Sequence, residues 1–171
     1  MQALLTVLRL VHIFSGVYWV GAAAFMTLMV GPLIPKLGPA GPAFMRGLLQ
    51  ERPFSQSMSI TAVLTVLSGI WMFWIVSGGF QASWFSRTGA IVLTVGAVAG
   101  ILAAVHGGGV LAPRQSRVGE LGEQIAAAGG PPSPEQLASI QAAQADVRQH
   151  TLISLGLMII ALAGMASARY L

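Results

Sequence analysis

Four long apolar segments dominate this chain of 171 residues. They cover about residues 3–30, 58–76, 87–112 and 151–168, and each approaches or exceeds the roughly 20 residues that a helix needs to cross a lipid hydrocarbon core. Only 8% of the residues are charged, whereas a soluble domain carries about 25%. The sequence therefore predicts one integral membrane domain over residues 1–171 with the lipid bilayer as its surroundings, and no separate soluble domain.

The segments are expected to be helices, because backbone amides in lipid must be satisfied within their own segment and no alternating pattern of barrel strands is present. Gly31-Pro32 is predicted to stop the first helix, Gly78-Gly79 the second, and Pro113 the third. The predicted fold is all-α, a four-helix membrane bundle.

Cations in the connections predict the orientation of the bundle. The first and third connections contain six of them, against three on the opposite side, so we expect both connections inside a bacterial cell membrane and both termini outside. The six are Lys36, Arg46, Arg52, Arg114, Arg117 and Arg148; the three are Arg9, Arg87 and Arg169. An aromatic belt at the outer interface is expected from Trp71, Trp74, Phe80, Trp84, Phe85 and Tyr170.

Both inner connections show helical signals. Residues 41–51, with Pro42 near the start and Phe44, Met45, Leu48 and Leu49 on one side, predict a short interfacial helix. The set Ser133-Pro134-Glu135-Gln136 has an N-cap, a first-turn proline and a capping-box glutamine, so a helix is expected to begin there and to continue into the fourth span. With a turn at residues 129–132, the sequence predicts a cytoplasmic helical hairpin between the third and fourth spans. Its predicted seam contains Val118, Leu121 and Ile125 on one arm and Leu137, Ile140, Gln144, Val147 and Thr151 on the other.

Several classes of function are disfavoured. The chain has no cysteine, which removes disulfides, thiolate-bound zinc and iron–sulfur clusters. Its net charge of +4 is scattered, so nucleic acid is not an expected partner. No carboxylate lies in the four segments, and no Ser–His–Asp set, phosphate loop or dinucleotide fingerprint is recognisable. Gly96 and Gly100 form a GxxxG motif, and Gly164 with Ala168 a looser pair, which suits either a homodimer face or a contact within the bundle.

His12 is the first candidate for chemistry, since ionisable residues within a membrane are rare and commonly functional. Arg9, His12, Ser15 and Trp19 are spaced to form one polar-aromatic stripe on the first helix. Such a stripe suits haem, with imidazole as an axial ligand and guanidinium next to a propionate. The alternative is a histidine that only forms a hydrogen bond to a neighbouring helix.

A second ligand at similar depth is available from Met72, Met158 or Met165, because thioether is an accepted axial partner of haem iron. A His/Met site suits copper equally well. His106 and His150 are further metal candidates as an inner pair, although His150 next to the polar arm has the position of an interfacial residue. His12 and His106 should differ in depth by roughly 15 Å, too far to share one metal.

The first helix resembles that of two groups of small membrane proteins. The run is Leu10-Val11-His12-Ile13-Phe14-Ser15-Gly16-Val17-Tyr18-Trp19-Val20-Gly21. It resembles the copper-resistance D (CopD-like) group, and its histidine followed by Trp-x-Gly is similar to HemJ-type membrane protoporphyrinogen oxidases. The ending, residues 165–171, also resembles four-helix bacterial proteins related to these. The resemblance implies a four-helix bundle with His12 as a ligand of b-type haem. HemJ-type proteins also carry a lysine in the third helix, where this chain has only Arg87.

These observations leave three hypotheses. The first is a membrane protein that binds b-type haem through His12 for electron transfer or haem handling with a membrane redox partner; as an enzyme it would be a haem-dependent oxidoreductase. The second is a CopD-like component of copper transport or resistance. The third is a cofactor-free scaffold that binds a partner.

Overall fold

The computed structural model describes residues 1–38, 40–48 and 53–171. Within them the chain is helical and contains no strand, so the all-α prediction is confirmed. Four long helices are present: α1 (Gln2–Leu37), α2 (Phe54–Val76), α3 (Thr88–Ala127) and α4 (Pro134–Tyr170). Each is long and apolar enough to cross a membrane.

The predicted stops at Gly31-Pro32 and Pro113 are wrong, because α1 and α3 continue through both prolines. Each proline follows a wider π-helical stretch, Met26–Val30 in α1 and Gly107–Leu111 in α3. The residue before each proline, Gly31 or Ala112, donates its N–H to the carbonyl five residues earlier. A π-turn changes the spacing at the point where proline supplies no N–H and its ring would crowd a carbonyl, so the helix goes on. The stop at Gly78-Gly79 is confirmed, since both glycines have positive φ.

The bundle consists of two antiparallel pairs, α1 with α2 and α3 with α4. Glycines allow the second pair to approach closely. A Cβ added to Gly164 would lie 2.9 Å from the Cα of Gly96, and one added to Gly96 would lie 3.0 Å from the backbone N of Met165. At least Gly96 of the GxxxG motif therefore serves a contact within this chain.

All four helices contribute to one apolar layer across the bundle. Its buried centre is Trp19, Ala103 and Met158, of which Ala103 is fully buried. Partly buried side chains surround this centre, namely Val20, Ala23, Met58, Ala62, Ala104 and Leu157. We call these nine residues the apolar layer.

Beyond this layer α3 and α4 extend into a helical hairpin, as predicted. The turn has Gly129 at φ +69°, and α4 begins at Ser133 with both bonds of the capping box in place. Most of the predicted seam is partly buried, but Leu137 and Gln144 are exposed. Ala143 and Gln136 take the inward positions instead, because packing follows the helix rotation rather than the apolarity of each residue. The end of the bundle with this hairpin is the hairpin end, and the opposite end carries both chain termini.

Loss of the cap at Ser133 is expected to loosen the start of α4. The Ser133 hydroxyl accepts from the backbone N–H of Gln136 and donates to Glu135. The variant Ser133→Ala should lower the stability of this helix start by about 1 kcal/mol, measured by hydrogen exchange of the first two turns. Ser139→Ala, at an exposed site in the same helix, is the control and should leave the exchange rates of those turns unchanged. Equal protection of these turns from hydrogen exchange in Ser133→Ala and Ser139→Ala would contradict a role for the cap.

The connection between α1 and α2 contains a further predicted feature. A short helix, Ala40–Arg46, confirms a helical first connection, whereas Leu49, Glu51 and Arg52 lie outside the described residues.

Four of the six belt aromatics cluster near the connection between α2 and α3, together with Phe73. Their ring centroids lie 5.1 to 6.4 Å apart, in the set Phe73, Trp74, Phe80, Trp84 and Phe85. Trp71 and Tyr170 are exposed.

Candidate functional site

His12 lies between α1 and α2, where its ring forms a hydrogen bond across the helix interface. The Nδ1 atom is 2.8 Å from the backbone carbonyl oxygen of Thr65. Because a carbonyl oxygen only accepts, Nδ1 must carry the hydrogen and donate it. In the neutral ring this leaves the lone pair on Nε2, which has no hydrogen-bond partner in the described part of the chain.

Gly69 on α2 makes room for this ring. A Cβ at Gly69 would lie 2.8 Å from Cε1 and 3.1 Å from Nδ1 of His12. One turn further along α1, a Cβ added to Gly16 would be in ordinary contact with Thr65 Cγ2, at 3.5 Å. The space for the imidazole therefore depends on Gly69.

A row of hydroxyls on α2 lines the same interface. Thr65 Oγ1 is 2.9 Å from Ser15 Oγ, and Ser15 also donates to the carbonyl of Val11. Ser57 and the Tyr18 hydroxyl are 2.7 Å apart. The row, Ser57, Thr61, Thr65 and Ser68, was missed by the sequence analysis, although its spacing of four, four and three residues places it on one helix face.

The predicted stripe on α1 is present only in part. Ser15 and Trp19 are buried and His12 is partly buried, as expected for one inward face. Arg9 is exposed and has no hydrogen bond or ion pair with the described residues. Leu8 takes the inward position one turn before His12, so Arg9 is rotated by about 100° from the place assigned to it.

The three methionines differ in what surrounds them. Met158 is only 4% exposed within the apolar layer, so packing fills the space around its sulfur. Met165 lies seven residues beyond it on α4, and its Cε packs on Gly100 of α3. Met72 is partly buried on α2, three residues after Gly69.

A second polar network joins α3 to α4 on the hairpin side of the apolar layer. His106 Nδ1 is 2.7 Å from Ser154 Oγ, and His106 Nε2 is 3.1 Å from His150 Nδ1. His150 Nε2 faces Asp146 Oδ1 at 3.5 Å. Asp146 Oδ2 accepts from Arg114 Nε at 2.8 Å. The two histidines do pair, and His150 is part of a chain of interacting groups.

The network contains Ser, His and Asp but not a Ser–His–Asp triad, because Ser154 bonds to His106 whereas Asp146 faces His150. Asp146, His150 and Ser154 recur at every fourth residue of α4, on one face, and His106 joins them from α3. The spacing on α4 was visible in the sequence, whereas the contribution of His106 depends on how α3 and α4 align. Ser154 is only 4% exposed.

The two networks are separate sites. Trp19 and Ala103 meet in the apolar layer, seven residues after His12 and three residues before His106. At about 1.5 Å per residue, this gives the expected separation of roughly 15 Å along the bundle. Among the described residues no group of three or more His, Asp or Glu side chains is placed to hold a metal. Two shallow surface depressions lie on the hairpin arm of α4 and at the hairpin seam, away from His12.

No family model, curated protein or solved structure matches this chain. The geometry of the two networks is therefore the guide to function.

Proposed function

We propose that this protein is an integral membrane protein that binds b-type haem through His12, for electron transfer or haem handling. One observation carries the proposal: Nδ1 of His12 donates to the Thr65 carbonyl, and Nε2 keeps a lone pair without a partner in the described chain. The free lone pair of a neutral imidazole is the form that ligates iron.

The surroundings of His12 match those of a ligating histidine. Such residues usually donate their second ring N–H to a carbonyl or carboxylate, which fixes the tautomer and the ring orientation. Here the Thr65 carbonyl does this, and Gly69 admits the ring. When bound, haem would supply one-electron redox chemistry. The contribution of the chain is to hold a single imidazole tautomer in a fixed orientation.

Other parts of the predicted haem site fit less well. Arg9 is exposed rather than inward, so it is not assigned to a propionate. Met158 is enclosed by the apolar layer, which leaves Met72 and Met165 as the candidates for a second ligand. Copper bound by His12 and a methionine is the alternative use of the same lone pair, in a CopD-like transport or resistance role.

The proposal includes an orientation in the membrane. The hairpin end of the bundle carries Lys36, Arg46, Arg114, Arg117 and Arg148, and an excess of cations favours the inner side. The hairpin would then lie in the cytoplasm and both termini outside a bacterial cell membrane. The aromatic cluster near the connection between α2 and α3 would lie at the outer interface.

Removal of the imidazole is expected to abolish haem binding. Wild-type protein purified in mild detergent from haem-supplied cells should show a Soret band and, after dithionite reduction, sharpened α and β bands. His12→Ala should lose these bands and more than tenfold of its haem content, because it removes the iron ligand itself. Ile13→Ala, at the exposed neighbouring position on α1, is the control and should retain the spectrum. In the same assay, Met72→Ala and Met165→Ala test which methionine changes the reduced bands.

The remaining outcomes decide against haem. A colourless wild type with bound copper that depends on His12 would favour the copper role. A colourless wild type without metal would leave a scaffold in which His12 only joins α1 to α2.

A further inference from the structure

We propose that His106 and His150 form a site that binds one proton between their rings and exchanges it with water at the hairpin end. This activity does not depend on haem. It uses a different set of residues from the His12 network and lies on the other side of the apolar layer.

The direction of every hydrogen bond in this network follows from its carboxylate end. Asp146 is paired with Arg114, so it is ionised and can only accept. His150 Nε2 lies 3.5 Å from Asp146 Oδ1, an electrostatic contact that favours the tautomer with its hydrogen on Nε2, and Nδ1 of the neutral ring then accepts from His106 Nε2–H. His106 Nδ1 then accepts from the hydroxyl of Ser154. With both rings neutral, all their ring nitrogens face a complementary group.

One added proton fits this network and a second does not. After uptake of one proton, His106 donates from Nδ1 to Ser154 Oγ, and the Ser154 hydroxyl turns its hydrogen away. The two rings still share one N–H···N bond, and the charge faces Asp146 through His150. A second proton would place N–H groups of both rings against each other across 3.1 Å, between two positive charges. The pair should therefore take up a single proton.

Water can reach the pair at the hairpin end. The side chain of His150 is 20% exposed, and Asp146 and Arg114 are 48% and 38% exposed. The three glycines after His106 have no atoms within 4 Å of an added Cβ, so the space next to them is open. The proton from water is added at His106 Nδ1, because His150 Nε2 already carries a hydrogen toward Asp146, and the positive charge is then shared with His150 through the N–H···N bond between the rings.

Among the described residues, the charged groups around the pair come from two helices. Asp146 on α4 places a negative charge next to His150, and Arg114 on α3, which pairs with Asp146, places a positive charge near His106. The π-helical stretch of α1, Met26–Val30, packs against α4 and contains no ionisable side chain.

The contrast with His12 separates this site from a metal site. His12 keeps one ring nitrogen free, whereas both ring nitrogens of His106 form hydrogen bonds, and those of His150 face His106 in a hydrogen bond and Asp146 in an ion-pair contact at 3.5 Å. A metal ion would have to break the bond between the rings and would find only two histidine ligands there. The geometry thus favours a proton as the ligand.

Nitrogen NMR of the full chain tests the proposal. The protein has three histidines, so ¹⁵N-histidine labelling in lipid nanodiscs gives a simple spectrum, and His12→Ala identifies the third ring. Above the titration range we expect Nε2–H tautomers for His106 and His150, and a scalar coupling across their N–H···N bond. On acidification both rings should change together in one step that takes up one proton.

Variants of the carboxylate test its part in the site. Asp146→Asn removes the negative charge that faces His150, so the midpoint of the step should fall. Glu120→Gln, at an exposed carboxylate next to Arg117 on the hairpin, is the matched control and should not move it. Two separate steps, no coupling between the rings, or an unchanged midpoint in Asp146→Asn would overturn the proposal. Stoichiometric Zn²⁺ or Cu²⁺ that replaces the bond between the rings would overturn it in favour of a metal site.

Discussion

Gly164→Ala is expected to force α3 and α4 apart and to destabilise the bundle strongly. The new Cβ would lie 2.9 Å from the Cα of Gly96 and 3.0 Å from the carbonyl oxygen of Val92. Both are backbone atoms, so no side chain can rotate to relieve the contact. Overpacking in a core costs about 1–3 kcal/mol, and we expect the upper part of this range, seen as a lower midpoint of thermal unfolding in detergent.

The same substitution elsewhere on α4 gives a matched control. Gly156 has no atoms within 4 Å of an added Cβ, and alanine is favoured over glycine within a helix by up to about 1 kcal/mol. Gly156→Ala should therefore keep or raise the unfolding midpoint. An equal fall of the unfolding midpoint in Gly164→Ala and Gly156→Ala would mean that the close approach of α3 and α4 is not the cause of the destabilisation.

Gly69→Ala is expected to reduce haem binding without a change to the ligand itself. Its Cβ would lie 2.8 Å from Cε1 of His12, so the ring must move and its bond to the Thr65 carbonyl weakens. Loss of such a supporting bond typically lowers metal affinity 10- to 100-fold. We expect at least a tenfold loss, measured by titration of the purified apoprotein with haemin.

Two controls separate ring displacement from general damage. Gly21→Ala adds a Cβ to α1 where no atom lies within 4 Å, and Thr65→Ala removes a hydroxyl but keeps the carbonyl that accepts from His12. Both should bind haemin nearly as the wild type does, with similar unfolding midpoints. Unchanged haemin affinity in Gly69→Ala would show that His12 does not bind in the orientation described.

The helices were predictable from the sequence, but two of their expected ends were not. Long apolar segments and the capping box at Ser133 are local signals, and the structure bears them out. Pro32 and Pro113 are also local signals, but the helix ends that they predict are wrong. A π-turn before each proline keeps the helix intact, and a proline in the sequence does not by itself reveal that turn.

Only those features of the candidate site that depend on the type of side chain could be predicted from the sequence. An inward His12 followed from its polarity within an apolar segment. Its partner is the backbone carbonyl of Thr65, which any residue at that position would supply, so no residue type could reveal it. The choice between Leu8 and Arg9 as the inward residue depends on a rotation of α1 that is fixed by its packing on α2. His106 and His150 were predicted only as a candidate inner pair, and their link to Ser154 and Asp146 depends on the alignment of two helices.

The apolar layer has a consequence for the movement of protons across a membrane. In a bilayer, Trp19, Ala103 and Met158 would act as an electrical insulator between the proton-binding pair and the His12 network. A proton held at His106 and His150 could return only to the side from which it came. The chain could then respond to the pH on one side of the membrane without letting protons flow down the proton gradient across it.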